Sequence, residues 1–180
     1  MNNTGSKSKD GTIIQIAFVV PDVRAAIDTW VKDMGVGPWF LVEDLKGDAP
    51  IYRGEPAQAS YALASTFIGD MQIELIEMND EHPSPFREWV DKRGFGFHHL
   101  AVGSDDAEAD VRKYEDKGYE TVFSCATPFG EQRIAFMSAG FDKPAMIEVT
   151  PMTDGLKEFH EMSRKASANW DGKDPIRILG

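Results

Sequence analysis

Four polar residues sit where strands would ordinarily bury apolar ones: Gln15, Glu74, His99 and Glu148. Glu74 lies between Ile73 and Leu75, and Glu148 between Ile147 and Val149. A carboxylate centred in an apolar strand is costly unless it is paired or coordinates a cation. Gln15 and His99 open two runs that match, Gln15-Ile-Ala-Phe-Val-Val-Pro-Asp22 and His99-Leu-Ala-Val-Gly-Ser-Asp-Asp106, 84 positions apart. The glutamates lie in a second matching pair, Met71–Met78 and Ala145–Met152, 74 positions apart. Polar residues at equivalent places in two repeats point to one site on a pseudo-twofold axis. Three oxygen donors and one imidazole suit a single divalent ion that tolerates oxygen: Zn, Ni, Co, Mn or Mg. Two glutamates against a dication leave a neutral centre with room for water or a bidentate ligand.

The elements that position these donors follow from the same repeat. After the first run, Val23, Ala26, Ile27, Trp30, Val31 and Met34 fall on one helical face, with Asp22 as the cap. After the second, Ala107, Val111 and Tyr114 make the stripe, Ser104 or Asp105 caps it, and Gly118 ends it. Each half then carries three short apolar runs, so each reads strand, helix, strand, strand, strand. The organisation expected is a polar, disordered leader (1–11), a first module (12–78), a linker with a short helix opened by Ser84-Pro85 (79–97), a second module (98–152) and a C-terminal helix and tail (153–180). Residues 44–60, rich in Gly and Pro, have only a short counterpart at 127–132, which makes them a candidate lid or a solvated loop. Trp170 and Ile176 predict that the tail packs on the body or on a partner subunit.

Bulk properties narrow the partners. A formal charge of −11 disfavours nucleic acid and anionic membranes. No apolar run approaches the roughly 20 residues of a membrane span, and the start lacks the apolar stretch of a secretory signal, so a cytoplasmic protein is expected. Cys125 is the only cysteine, which excludes an intrachain disulfide, and its strand-like surroundings predict buried packing.

Other candidates weigh less. His98 adjoins His99, so regular strand alternation turns it to the other face or behind the donors. Glu77, three residues beyond Glu74, points away, and its repeat partner is Pro151. His82 and His160 read as structural or solvated. Arg53 and Arg87 could fork a carboxylate but read as surface charges. Trp39, Phe40, Phe67, Phe123, Phe129 and Phe136 could line an apolar pocket or fill the core.

The segments Gln15–Asp22, Gly94-Phe-Gly-Phe-His-His-Leu-Ala-Val102, Ile73-Glu-Leu-Ile-Glu77 and Met146-Ile-Glu-Val149 resemble the vicinal oxygen chelate superfamily. That superfamily comprises glyoxalases, methylmalonyl-CoA epimerases, bleomycin-resistance proteins and extradiol dioxygenases, and the resemblance spans about residues 12–151. It implies an α+β fold of tandem βαβββ repeats forming a cupped, eight-stranded mixed sheet with flanking helices. The ordered set Gln, Glu, His, Glu is similar to that of glyoxalase I, where a glutamate is both ligand and base; Glu148, or else Glu74, would take that role here. Epimerases of the family typically carry His where Gln15 stands and Gln where Glu74 stands, and the two-His site of the dioxygenases does not fit. The resemblance thus implies a metal-dependent, homodimeric isomerase, epimerase or lyase acting on a small oxygen-chelating substrate. Its rival is a metal-free binding or sequestration protein of the bleomycin-resistance type, members of which generally lack a full donor set.

Overall fold

The structure, a computed structural model, describes residues 11–127 and 132–179. The expected leader lies, Gly11 apart, outside the described residues, as does Phe129.

The first half runs β1 (Thr12–Val19), α1 (Val23–Met34), β2 (Trp39–Leu45), β3 (Asp48–Tyr52), β4 (Glu55–Pro56), β5 (Tyr61–Ile68) and β6 (Met71–Met78). The helix α2 (Pro85–Arg93) leads to β7 (Gly96–Ser104), α3 (Ala107–Glu115), β8 (Glu120–Ala126), β9 (Arg133–Ser138) and β10 (Met146–Pro151), and α4 (Asp154–Ala168) and β11 (Ile176–Ile178) close the chain. Local signals account for the helix ends. Asp22 is extended and accepts from the Ala25 amide, while Gly35 ends α1 in the left-handed region at φ 66. Ser84 caps α2, ahead of Pro85 at its first position. The cap of α3 is Asp106, not Ser104 or Asp105. Ser104 instead accepts from the Asp106 amide and donates to Asp110, which fixes the turn one residue later.

All strands join one mixed sheet in the order β11-β2-β5-β6-β1-β7-β10-β9-β8-β3-β4. β1 and β7 pair antiparallel at its centre, and each has its own fourth strand beside it in parallel, β6 against β1 and β10 against β7. The eight expected strands therefore run outward from the centre in mirrored order, and three further strands extend the sheet beyond them. Two come from the segment read as a lid or loop: β3 and β4 form a hairpin whose β3 pairs with β8 of the other half. Only Lys46 and Gly47 separate β2 from β3, so the chain straps the mouth of the cup from one half to the other. Arg133 secures this strap by donating to the carbonyls of Ala49 and Ser124. The third added strand is β11, which lies parallel to β2, while Trp170 packs against Gly37. Trp170 and Ile176 thus pack on their own chain, while Ile178 stays exposed.

Each face of the curl has its own core. α1 covers the outside of the first half over Trp39, Leu41, Ala64 and Leu75, and α3 that of the second over Ala135, Met137 and Val149. The inside is plugged at one end by Phe86 and Trp89 of α2, packed with Tyr61, Phe123 and Phe136. α4 crosses the other end, with Phe159 edge-on to Phe40 and His160 edge-on to Phe67. Among the described residues no helix is long and apolar enough to cross a membrane.

Candidate metal centre

The four central strands β6, β1, β7 and β10 carry Glu74, Gln15, His99 and Glu148 in that order, all buried on the concave face. Register explains the convergence. Ala17 lies opposite both Glu74 and His99, and Ala101 opposite both Gln15 and Glu148. These two buried methyl side chains leave a hollow at the axis that larger residues would fill. Into it His99 Nε2 projects, facing Glu148 Oε2 at 3.0 Å, Gln15 Oε1 at 3.2 Å and Glu74 Oε2 at 3.8 Å. Ligand atoms of Glu74, His99 and Glu148 all lie within 4.8 Å of one another, so this buried group could hold one metal ion. Donors about 2.1 Å from a common ion lie roughly 3.0 Å apart at right angles and 3.4 Å apart tetrahedrally; Glu148 and Gln15 stand at that spacing from His99 Nε2, and Glu74 stands wider at 3.8 Å.

Acceptors dominate this centre. Three oxygens face one ring nitrogen, an arrangement that suits either an N–H donor on that nitrogen or a metal ion among the four atoms. Burial, and next the charge of Glu148, push the Glu74 carboxyl well above the usual carboxylate range, against a hydrogen bond from Gln15 that lowers it. The Gln15 amide has a defined orientation: Nε2 donates to Gln72 Oε1 at 2.9 Å and to Glu74 Oε1 at 3.0 Å, which leaves Oε1 towards the axis. Thr150 donates to Glu148 Oε1 at 2.6 Å and leaves Oε2 facing His99.

The position of His98 departs from strand alternation. The register shifts between Ala17/His99 and Phe18/Phe97, so His98 is the extra residue of a β-bulge. Both imidazoles therefore point into the cup. His98 Nδ1 lies 2.9 Å from His99 Nδ1, and its Nε2 lies 3.4 Å from the Pro85 carbonyl. Burial among Phe86, Trp89 and Phe136, then the neighbouring His99, holds His98 well below the usual imidazole range, and it stays neutral. One tautomer chain satisfies every partner when His99 Nε2 is a ligand: His99 Nδ1–H donates to His98 Nδ1, and His98 Nε2–H donates to Pro85. This is the support a ligating histidine requires at its second nitrogen.

A family model described as Glyoxalase/Bleomycin resistance protein/Dioxygenase superfamily matches residues 14–136, over half of the chain. The chain belongs to this superfamily. Its fold is similar to that of methylmalonyl-CoA epimerase from Mycobacterium tuberculosis (24% identity, 88% of this chain and 97% of that one, TM-score 0.58). It is also similar to hypothetical protein BH1468 from Bacillus halodurans (18%, 79% and 95%, 0.53). A third likeness is to a variant of Streptomyces coelicolor methylmalonyl-CoA epimerase in complex with 2-nitronate-propionyl-CoA (21%, 78% and 94%, 0.52). At these identities the likeness is one of fold. No curated protein matches the sequence.

Within this superfamily fold the other candidates fall outside the centre. Glu77 lies on the outer face, where it accepts from the Val23 amide and helps to cap α1. Arg53 pairs with Glu88 and Arg87 with Glu81, both at the surface. His82 is exposed, and Trp39 packs under α1. Phe40, Phe123 and Phe136 do line the hollow beside the donors, and His160 lines its α4 end. Gln72 and Thr150 escaped the sequence reading, although each lies two residues from a glutamate on the same strand face.

Proposed function

We propose that this protein is a divalent-metal-dependent enzyme in which Gln15, Glu74, His99 and Glu148 hold one Zn, Ni, Co, Mn or Mg ion. The observation that carries the reading is the ring nitrogen of His99 facing three acceptor oxygens inside a buried, apolar hollow. The donor set fits a dication, whose charge offsets two buried carboxylates that would otherwise repel each other. When bound, the ion supplies Lewis-acid stabilisation for negative charge developing on a chelated substrate oxygen. The chain's own groups do the rest. Glu148 takes the proton from the carbon next to the carbonyl, with Thr150 holding its other oxygen, and Glu74 lies across the axis to return a proton on the opposite face. Gln72 keeps Gln15 Oε1 aimed inward, and the aromatic plug of α2 excludes water from the reacting carbon.

This chemistry makes the protein an isomerase or epimerase, or a lyase where a leaving group adjoins the carbanionic carbon. The methylmalonyl-CoA epimerases of similar fold support the epimerase-like branch. The modules proposed are residues 12–78 and 98–152, joined by 79–97. We place the enzyme in the cytoplasm as a homodimer, supported by the family resemblance and by Phe95 and Phe97, which stay exposed at 51% and 38%. The test is proton exchange in deuterium oxide. Metal-loaded protein should exchange the proton next to the carbonyl of small 2-hydroxyketones, and Glu148→Gln should slow this at least 100-fold. Chelator binding without exchange in any such compound would favour a binding protein instead.

A further inference from the structure

The donors open onto two chambers, of about 220 Å³ and 110 Å³, that share Glu74, Glu148, Leu63, Cys125 and Ile134 as their common wall. The larger is walled by Phe40, Val42, Leu156, Phe159 and Leu179, the smaller by Tyr61, Ile76, Phe86, Phe123 and Phe136. Pockets that accept drug-sized ligands run from roughly 300 to 1,000 Å³, so each chamber takes a smaller group. The strap at Leu45–Gly47 borders both chambers, and helix α4 and the tail residue Leu179 close the larger one. The strap is seated closely, since a Cβ on Gly47 would meet Cβ and Sγ of Cys125 at 3.0 Å.

Charge is as telling as volume. Among the described residues no arginine lines either chamber, and Lys46, 3.8 Å from Asp44, is the one cation on their walls. Several arginines are engaged elsewhere, as Arg53 is with Glu88 and Arg93 with the carbonyls of Phe141 and Lys143. A chain of net charge −11 also repels polyanions at long range. Forked or clustered cations are a common way to hold phosphates, and among the described residues these chambers lack them.

We propose, resting on the metal reading above, that the substrate is a small oxygen chelator bearing compact hydrocarbon groups, and not a nucleotide-armed thioester such as an acyl-CoA. The chelating oxygens face the donors, and the hydrocarbon groups occupy the chambers on either side. Each methylene moved from water into such walls strengthens binding about fourfold.

The test uses the full chain loaded with cobalt and alkyl hydroxamic acids, which chelate through two neighbouring oxygens, from the acetyl to the hexanoyl member. Affinity is read from the cobalt absorption. The expected series tightens about fourfold per methylene until the chamber is full. Methylmalonyl-CoA should bind no tighter than acetohydroxamate. Leu156→Trp, on the half-exposed face of α4, should weaken the hexanoyl member at least tenfold while acetohydroxamate and cobalt binding stay within twofold; Val42→Phe does the same from the β2 wall. A flat series, or methylmalonyl-CoA tenfold tighter than the hexanoyl member, overturns the proposal while cobalt uptake leaves the metal reading standing. Failure to take up cobalt overturns both.

Discussion

Replacing His98 by Phe isolates what the β-bulge contributes. The aromatic ring suits the shell of Phe86, Trp89 and Phe136, so folding should be little affected. What disappears is the acceptor 2.9 Å from His99 Nδ1. With metal on Nε2 the proton of His99 must sit on Nδ1, where the variant leaves it buried and unpaired at a cost of about 1–3 kcal/mol. Without metal the proton can move to Nε2 and donate to Glu148 at 3.0 Å, so the cost falls chiefly on the bound state. Metal affinity should therefore drop about 10–100-fold, the range seen when support behind a ligating histidine is lost, equivalent to about 1.4–2.7 kcal/mol. Competition against a chromophoric chelator at neutral pH measures it, and nitrogen-resolved NMR of His99 reports the tautomer directly. His98→Asn, which can restore an acceptor, should recover part of the loss. An affinity for His98→Phe within twofold of wild type, with the His99 tautomer unchanged, would refute the relay.

Two further predictions concern the enclosure. Gly47 sits at φ +72 against Cys125, so Gly47→Ala should destabilise the protein by about 1–2 kcal/mol and lower Tm by roughly 4 °C; an unchanged Tm would mean the strap is not seated as described. His160, buried against Phe67 and held down to about 4 chiefly by burial and secondarily by Arg164, stays neutral when folded but takes a proton near 6.5 when unfolded. Its contribution is therefore complete above pH 6.5 and is lost as pH falls through the window to 4. Chemical denaturation from pH 7 to 4.5 should show a shallower loss for His160→Phe than for wild type, by on the order of 2 kcal/mol, and parallel curves would contradict this.

The four converging residues were legible in the sequence because the cost of burying them is visible locally. Glu74 and Glu148 stand between apolar neighbours in repeated strands, and the repeat supplies Gln15 and His99 by position alone. The caps at Asp22 and Ser84 are equally local. Strand phase places Glu77 outside, and of the two positions open to His98 the structure takes the one behind the donors, because a bulge interrupts the alternation that would turn it to the other face. The signal was present in Gly96, whose φ of 134 is open to glycine and which lies two residues before the bulge. Gln72 and Thr150 were legible from parity with the glutamates. The pairing of β3 with β8 was not, nor that of β11 with β2. These join segments far apart in the chain through backbone groups, which leave no periodic mark on either partner.

Metal content of the purified chain tests the central claim most directly. Protein purified without chelator and dialysed against a mixture of Zn, Ni, Co, Mn and Mg should retain one equivalent of divalent metal per chain by elemental analysis. His99→Ala should retain less than a tenth of that, because it removes the only nitrogen donor, whereas Glu77→Gln on the outer face should retain it all. Less than a tenth of an equivalent in the wild type, or equal retention in His99→Ala, would contradict the account.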